Sequence, residues 1–298
     1  MILFVYNRLE HTRRVLESVL LNPEAMETDL IIFSDGPRSV ADTKAVTEVQ
    51  EFIDSIQGFK SVKIYTSLTN KGLATSIIDG VSFVLKNSNR VIVLEDDLVV
   101  SPYFLKYMNS GLEVYKDEAQ VASIHGYCYP MVRILEDTFF LRGADCWGWA
   151  TWQRAWDNFE PNGGKLLSKL AEENLIRKFD LNGAYPYARM LKDQIKGKNN
   201  SWAIRWHASC FIKNMMTLYP ANSLVQNIGN DSSGTHCNTT SSFNVDLADH
   251  PILVKKLEIK ENQEARNRVV NFFRNERNLL RRVLSKLKIL LSNLEIKA

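Results

Sequence analysis

Short apolar runs alternate with stretches of helical spacing through the first part of the chain. Ile2 to Tyr6 predicts a strand, Asn7-Arg8 a loop, and His11 to Leu21 a helix with Val15, Val19 and Leu20 on one face. Leu30 to Phe33 predicts a second strand, closed by the turn signal Ser34-Asp35-Gly36-Pro37. Ala41 to Ile56 has helical spacing, Val62 to Tyr65 predicts a third strand, and Asn70-Lys71-Gly72 a turn into a helix over Leu73 to Lys86. Val91 to Leu94 predicts a fourth strand that runs into Glu95-Asp96-Asp97. Each strand is read as a short apolar run rather than an in-out alternation, the signature of a parallel sheet covered on both faces. The fold class expected is therefore α/β. Ligands of such sheets bind beyond the carboxyl ends of the strands. Those ends carry Asn7 and Arg8, Asp35, Asn70 and Lys71, and the acidic run, so the polar residues gather on one edge.

Past about residue 120 the pattern changes. Short strands (Val121 to Ile124, Thr138 to Leu141) mix with a Trp-rich segment, Cys146-Trp147-Gly148-Trp149-Ala150-Thr151-Trp152. A helix over Ala184 to Lys196 leads to Trp202-Ala203-Ile204-Arg205-Trp206, a Gly/Asn/Ser-rich loop spans Asn227 to Ser242, and one long helix is expected beyond Glu261. The divisions expected are a ligand-binding half over 1–120, a second half over 121–254 and a helical tail over 255–298. The 298 residues, 45% hydrophobic and 24% charged, suit one large globular domain with an appendage. The formal charge of +3 hides an asymmetry: from Lys255 onward there are 12 Lys/Arg against 5 Asp/Glu, leaving 25 against 29 in the body. A basic tail on an acidic body points to an anionic surface. The four cysteines form no C-x-x-C pair, which suits free thiols in a reducing compartment. No signal peptide and no apolar run near the length of a membrane span is found.

Three adjacent carboxylates at a strand end repel one another unless a cation offsets them. Hard cations such as Mn²⁺ and Mg²⁺ prefer carboxylate oxygen and bridge to substrate phosphates. A solvated acidic turn is the alternative, but the position after Val91-Ile92-Val93-Leu94 favours a metal. Here the chain resembles a family. Val93-Leu94-Glu95-Asp96-Asp97-Leu98 with Ser101-Pro102-Tyr103-Phe104 is similar to the acidic motif of GT-A glycosyltransferases, in the E-D-D form of N-acetylglucosaminyltransferase I and related bacterial sugar transferases. The resemblance covers about residues 2 to 240 and implies a GT-A fold binding a nucleotide-sugar donor. Phe4-Val5-Tyr6-Asn7-Arg8 resembles the strand and loop that receive the nucleotide, so Tyr6, Asn7 and Arg8 are expected at the donor. Ser34-Asp35-Gly36 resembles the site of a base-binding Asp, although Asp-Gly-Pro is also plain turn chemistry. Asn70-Lys71-Gly72-Leu73 resembles the turn before the third helix. The resemblance makes Asp97 the principal metal ligand and places Glu95 and Asp96 toward the ribose and nucleotide. It also offers His236 as a late metal ligand.

Trp147-Gly148-Trp149 resembles the Gly/aromatic segment beneath donor sugar and acceptor, and Trp202 and Arg205 are expected in the same pocket. Tryptophans are, however, more often core packing than sugar platforms. Inverting transfer needs a carboxylate to take the acceptor proton. In the resembling enzymes the base follows the Gly/aromatic segment on a helix, an order that Asp193 fits. Asp145, Asp157 and Glu160 are its rivals, and a helix-surface charge is its plain reading.

The implied activity is a metal-dependent, inverting glycosyltransferase, hexosyl- or N-acetylhexosaminyl-, using a nucleoside-diphosphate donor such as UDP-sugar in surface polysaccharide synthesis. Two alternatives stand beside it. A nucleotidyltransferase shares the sheet and acidic ligands, but the loop Asn7-Arg8-Leu9-Glu10 lacks the glycines such enzymes carry. A non-catalytic carbohydrate-binding module would leave the acidic run without a role. The partners expected are the donor, a glycan or lipid-linked acceptor and, through the tail, an anionic membrane or a second copy of the chain, rather than nucleic acid. The tail repeats apolar residues at Val269, Val270, Phe273, Leu280, Val283, Leu284, Leu287, Leu290, Leu291 and Leu294, one helical stripe rich in flanking Arg and Lys. That stripe fits a membrane interface, a helix pair or docking onto the chain's own domain. The expected location is the cytoplasm, with the tail at the inner membrane.

Overall fold

The computed structural model describes residues 1–130, 136–231 and 241–277. The first half follows the alternation of the sequence: β1 (Ile2–Val5), α1 (Leu9–Leu20), β2 (Asp29–Ser34), α2 (Thr43–Asp54), β3 (Ser61–Thr66), α3 (Leu73–Leu85) and β4 (Arg90–Glu95). Then come β5 (Leu98–Val100), α4 (Phe104–Val114), β6 (Val121–His125), β7 (Thr138–Arg142) and β8 (Trp149–Trp152). Next are α5 (Gln153–Trp156), α6 (Gly163–Glu172), α7 (Ile176–Phe179), α8 (Tyr187–Ile195), α9 (Trp202–Ile212), β9 (Met216–Pro220) and β10 (Val225–Asn227). A last helix, α10, covers residues 263–277.

Eight strands form one sheet in the order β3-β2-β1-β4-β8-β6-β9-β7. The first four run parallel; β1 and β4 are apolar throughout their middles, while β3, at the edge, carries Ser61, Lys63 and Thr66. β8 reverses direction between β4 and β6, and β9 runs parallel to β6. The architecture is a mostly parallel α/β sheet flanked by helices, consistent with the GT-A fold. The boundary expected near residue 120 falls inside this one sheet. β5 leaves the sheet after the acidic turn and pairs antiparallel with β10, Leu98 opposite Asn227.

Two features of the core correct the sequence reading. Trp149 and Trp152 are strand residues buried in mid-sheet, and Trp149 is 0% exposed. Its ring stacks on Trp202 at 5.3 Å and lies 5.7 Å from Trp156 and 6.2 Å from Trp206. Trp149 and Trp202 therefore offer no face to a sugar; burying large apolar rings against one another is what stabilises this half. Arg205 is buried as well, donating to the carbonyls of Ser201 at 3.1 Å and Pro161 at 3.3 Å and to Asn200 at 3.3 Å. Its fork fastens the start of α9 to the loop before α6, which is a structural duty.

The second correction concerns the tail. Ala265, Val269, Val270 and Phe273 of α10 are buried in a cluster with Phe139, Leu141 and Tyr219. Arg277 reaches back to the Gly183 carbonyl at 2.7 Å. The first part of the expected membrane or dimer stripe is thus spent on the chain's own domain. The rest, from Leu280 on, lies outside the described residues. No described helix is long and apolar enough to cross a membrane.

Candidate functional site

The carboxyl ends of β3, β2, β1 and β4 lie side by side, and the polar residues found there in sequence come together. At β2, the Asp35 carboxylate accepts from the backbone N–H of Gly36 at 2.9 Å, Lys71 at 2.8 Å and Gly72 at 2.9 Å. Asn70 donates to the Gly36 carbonyl at 3.0 Å. Both Asp35 oxygens thus accept backbone hydrogen bonds that tie the two loops together. Gly36 permits the close approach: a Cβ there would lie 2.6 Å from the Ser67 carbonyl oxygen. Tyr6, at the exit of β1, accepts from the Arg38 N–H at 3.2 Å. Lys71 itself is exposed at the rim.

Beside this latch lies a cleft of about 290 Å³, lined by Phe33, Tyr65, Phe83, Thr66, Lys71 and Asp79 among others. Its floor follows from strand register. Phe4, Phe33 and Tyr65 sit opposite one another on β1, β2 and β3, so their rings stack in a row at 5.3 Å spacing. Phe83 of α3 closes the row edge-on, 5.3 Å from Tyr65, and stays 44% exposed.

The acidic run occupies the end of β4 and the tight turn into β5. Arg8, directly after β1, puts one guanidinium nitrogen between the two aspartates, donating to Asp96 Oδ1 and, at 2.9 Å, to Asp97 Oδ2. Burial works against the Arg8 charge, but Asp96 and Asp97 outweigh it and hold its pKa above the ordinary value. Burial first, then the charges of Asp97 and Asp96, pushes Glu95 well above the usual carboxylate range, with Arg8 opposing. Asp96 is raised by burial too, against the pull of Arg8. The run is thus short of positive charge even with Arg8 in place. The segment after β10 closes the site: Ile228 N–H donates to the Asp97 carbonyl at 2.8 Å, and a Cβ on Gly229 would fall 2.3 Å from Asp97 Oδ2. Only glycine leaves room for that carboxylate. His236, expected as a further ligand, lies outside the described residues.

Among the described residues no three His, Cys, Asp or Glu side chains are arranged to hold a metal by themselves. Two carboxylates converging on one point nonetheless fit a hard divalent ion, which is commonly held by one or two carboxylates with phosphates and water completing its shell.

On the far side of β4, β8 runs antiparallel with Trp149 opposite Val93, so the residues before Trp149 run along the end of β4 toward the acidic turn. Gly148 (φ 65°) packs there, with space for a Cβ denied by Val225 at 2.7 Å and Leu94 at 3.3 Å. Trp147 stays half-buried, edge-on to Tyr127 at 4.8 Å and Phe243 at 5.7 Å. Asp145 precedes it, 24% exposed. Its Oδ2 accepts from Tyr129 at 2.7 Å and its Oδ1 from the Cys146 N–H at 2.9 Å. Burial raises the Cys146 thiol, and the charges of Asp145, Glu95 and Asp97 raise it further. Asp193 is placed otherwise. It sits on α8, which packs with α6 and α9 in a separate core cluster, and its recorded ion pair is with Arg189 of its own helix at 3.9 Å. The segment that holds Asp145 precedes β8, whose Trp149 pairs with Val93 of β4.

The family model for glycosyl transferase family 2 matches residues 1–157, a stretch that holds β1 to β4, the acidic turn and Asp145. The chain belongs to glycosyl transferase family 2. A search of curated proteins gives no match. Among solved structures, a mannosyltransferase from Pyrobaculum calidifontis in complex with GDP-Man and Mn²⁺ is 10% identical with a TM-score of 0.33, over 57% of this chain and 46% of that one. Glucosyl-3-phosphoglycerate synthase from Mycobacterium tuberculosis, in complex with Mn²⁺, UDP and phosphoglyceric acid, is 11% identical with a TM-score of 0.31, over 59% of this chain and 66% of that one. A UDP-glucose pyrophosphorylase complexed with UDP-glucose is 14% identical with a TM-score of 0.35, over 74% and 89%. The chain thus spans less than half the length of the mannosyltransferase.

Behind Asp145 lies a buried histidine, His125. His125 is 0% exposed, neither ring nitrogen has a hydrogen-bond partner among the described residues, and its Nε2 stands 3.9 Å from Asp145. Burial depresses its pKa to about 4, with Asp145 opposing. The folded protein therefore keeps it neutral while the unfolded chain protonates near the ordinary 6.5. Stability is lost as pH falls from about 6.5 to about 4, by roughly 3 kcal/mol at 1.36 kcal/mol per pKa unit. His125→Phe should lose less stability than wild type over that range in urea titrations. Parallel acid limbs for the two proteins would refute this.

Proposed function

We propose that the chain transfers a sugar from a nucleoside diphosphate, UDP being the first donor to test, to a glycan or lipid-linked acceptor with inversion at the anomeric carbon. The observation that carries the reading is the convergence of Asp96 and Asp97 on one cation position at the end of β4, in a family 2 chain. Adjacent strands lie about 4.8 Å apart, so from the cleft between β2 and β3 to the acidic turn at β4 is about 12 Å. A nucleoside diphosphate covers that span, with its base on the ring row of Phe33 and Tyr65, its ribose near Asn7 and Glu95, and its phosphates at Arg8 and Lys71. Mn²⁺ or Mg²⁺ held by Asp97 and Asp96 would supply charge to stabilise the leaving diphosphate. The Trp147-Gly148 segment then borders the sugar. Asp145, on the acceptor side of the acidic turn, accepts the proton of the attacking hydroxyl; Tyr129 and the Cys146 N–H fix its orientation. Asp193 keeps the role of a charge on α8.

Purified protein incubated with UDP-, GDP- and other nucleotide sugars in Mn²⁺ should release nucleoside diphosphate from one of them, and that donor should raise the melting temperature. Release of pyrophosphate from a nucleoside triphosphate and a sugar phosphate would instead establish a nucleotidyltransferase. Neither release nor stabilisation by any donor would leave a binding module.

A further inference from the structure

Arg8 stands where the metal of the proposed reaction would stand, and this has consequences for the order of loading. A single Arg8 nitrogen bridges Asp96 Oδ1 and Asp97 Oδ2, the latter at 2.9 Å. Divalent ions bind carboxylate oxygen at about 2.0–2.2 Å, so an ion bridging the same two oxygens would overlap that nitrogen. One of the two must leave. The surroundings decide which can move. The Arg8 backbone is fixed, since its carbonyl accepts from the Thr12 N–H and hydroxyl, both at 2.9 Å, where α1 begins. Asp97 is fixed by Ile228 and by the backbone at Gly229. The Arg8 side chain, 18% exposed and on rotatable bonds, is the movable part. Its other terminal nitrogen is buried without a partner among the described residues, an unmet donor that an incoming anion would satisfy.

We infer that Arg8 is a resident cation that holds the acidic turn closed to metal until a diphosphate draws it away. This rests on the metal reading of the site proposed above. A diphosphate offers the guanidinium a fork of oxygens at least as favourable as the two carboxylates. As Arg8 turns to the phosphates, Asp97 and Asp96 become available to the ion. Metal and donor then load together, and by linkage each strengthens the other. The arrangement also keeps three carboxylates from facing one another without a cation before the donor arrives.

The test is Mn²⁺ binding followed by paramagnetic resonance, with no nucleotide present. Wild type should bind Mn²⁺ weakly, and UDP or GDP should strengthen binding by about tenfold or more, within the usual range of coupling. Arg8→Met should bind Mn²⁺ alone about tenfold more tightly than wild type. Arg8→Gln, which keeps a neutral donor toward the carboxylates should the Met variant fold poorly, should fall between them. Lys71→Met removes an equal charge from the same edge without touching Asp96 or Asp97, and should change Mn²⁺ affinity less than threefold. Equal gains in the Arg8 and Lys71 variants, or none in either, would overturn the inference while leaving the metal site standing. Failure of every protein to bind Mn²⁺, even with UDP and GDP, would overturn the metal reading itself and this inference with it.

Discussion

Asp97→Ala is expected to lower sugar transfer by at least about 10³-fold, the scale on which removal of a leaving-group stabiliser is felt. Asp97 lies in the turn between β4 and β5, only 15% exposed, and a glycine backbone packs against its carboxylate. A side chain so confined presents its oxygen at a fixed place, and no neighbouring carboxylate can take over that place without moving the turn. The fold should survive, because the turn also carries like-charge repulsion that the substitution relieves and Arg8 keeps Asp96 as a partner. Circular dichroism and melting temperature should therefore stay close to wild type while metal-dependent donor cleavage disappears. Wild-type rates in this variant, or in excess chelator, would refute the assignment.

Asp145→Asn is the second large effect. A general base contributes about 10²–10⁴-fold, so kcat should fall by that order with donor KM little changed, since the base acts on the acceptor proton in the transition state. The amide keeps an oxygen for Tyr129 or the Cys146 N–H, so packing is disturbed little. Asp193→Asn, made in parallel, should retain kcat within about threefold, because its ion pair is a long one to an exposed Arg189 on its own helix, and losing such a pair costs little. A fall in Asp193→Asn with normal kcat in Asp145→Asn would reverse the two roles. Steady-state rates with a fixed donor and varied acceptor decide between them.

The contrast between these two aspartates shows what the sequence could carry. β1, β2 and β4 were legible because each is a short apolar run ending in polar residues, the local pattern of parallel strands covered on both faces, and β3 by its Val62, Ile64 and Tyr65 between turn signals. The gathering of Arg8, Asp35 and Asp97 on one edge followed from it, since each lies just past the end of a strand, and Lys71 joins them through the loop that follows β3. β8 was not legible. Trp149 to Trp152 looks like a sugar platform by composition, and its antiparallel place between β4 and β6 is set by pairing across residues far apart in the chain. With β8 unread, order along the chain sets Asp193 ahead of its rivals, whereas the proposal of Asp145 rests on the packing of the segment before Trp149. Asp35 was ambiguous for a related reason: Asp-Gly-Pro fits both a turn and a base contact, and only the hydrogen bonds from Lys71 and Gly72 reveal the latch. The stripe of α10 likewise has one meaning on a helical wheel and another once Val269 and Phe273 meet Phe139 and Tyr219.

The central claim is that a divalent ion joins the acidic turn to a donor diphosphate. Anomalous diffraction at the manganese edge, from crystals grown with UDP and Mn²⁺, tests it most directly. One anomalous peak is expected within bonding distance of an Asp97 oxygen and of the diphosphate, with the Arg8 guanidinium turned from Asp97 onto the phosphates. UDP bound at the strand ends with no anomalous peak beside Asp97, or a peak bound only by other residues, would contradict it.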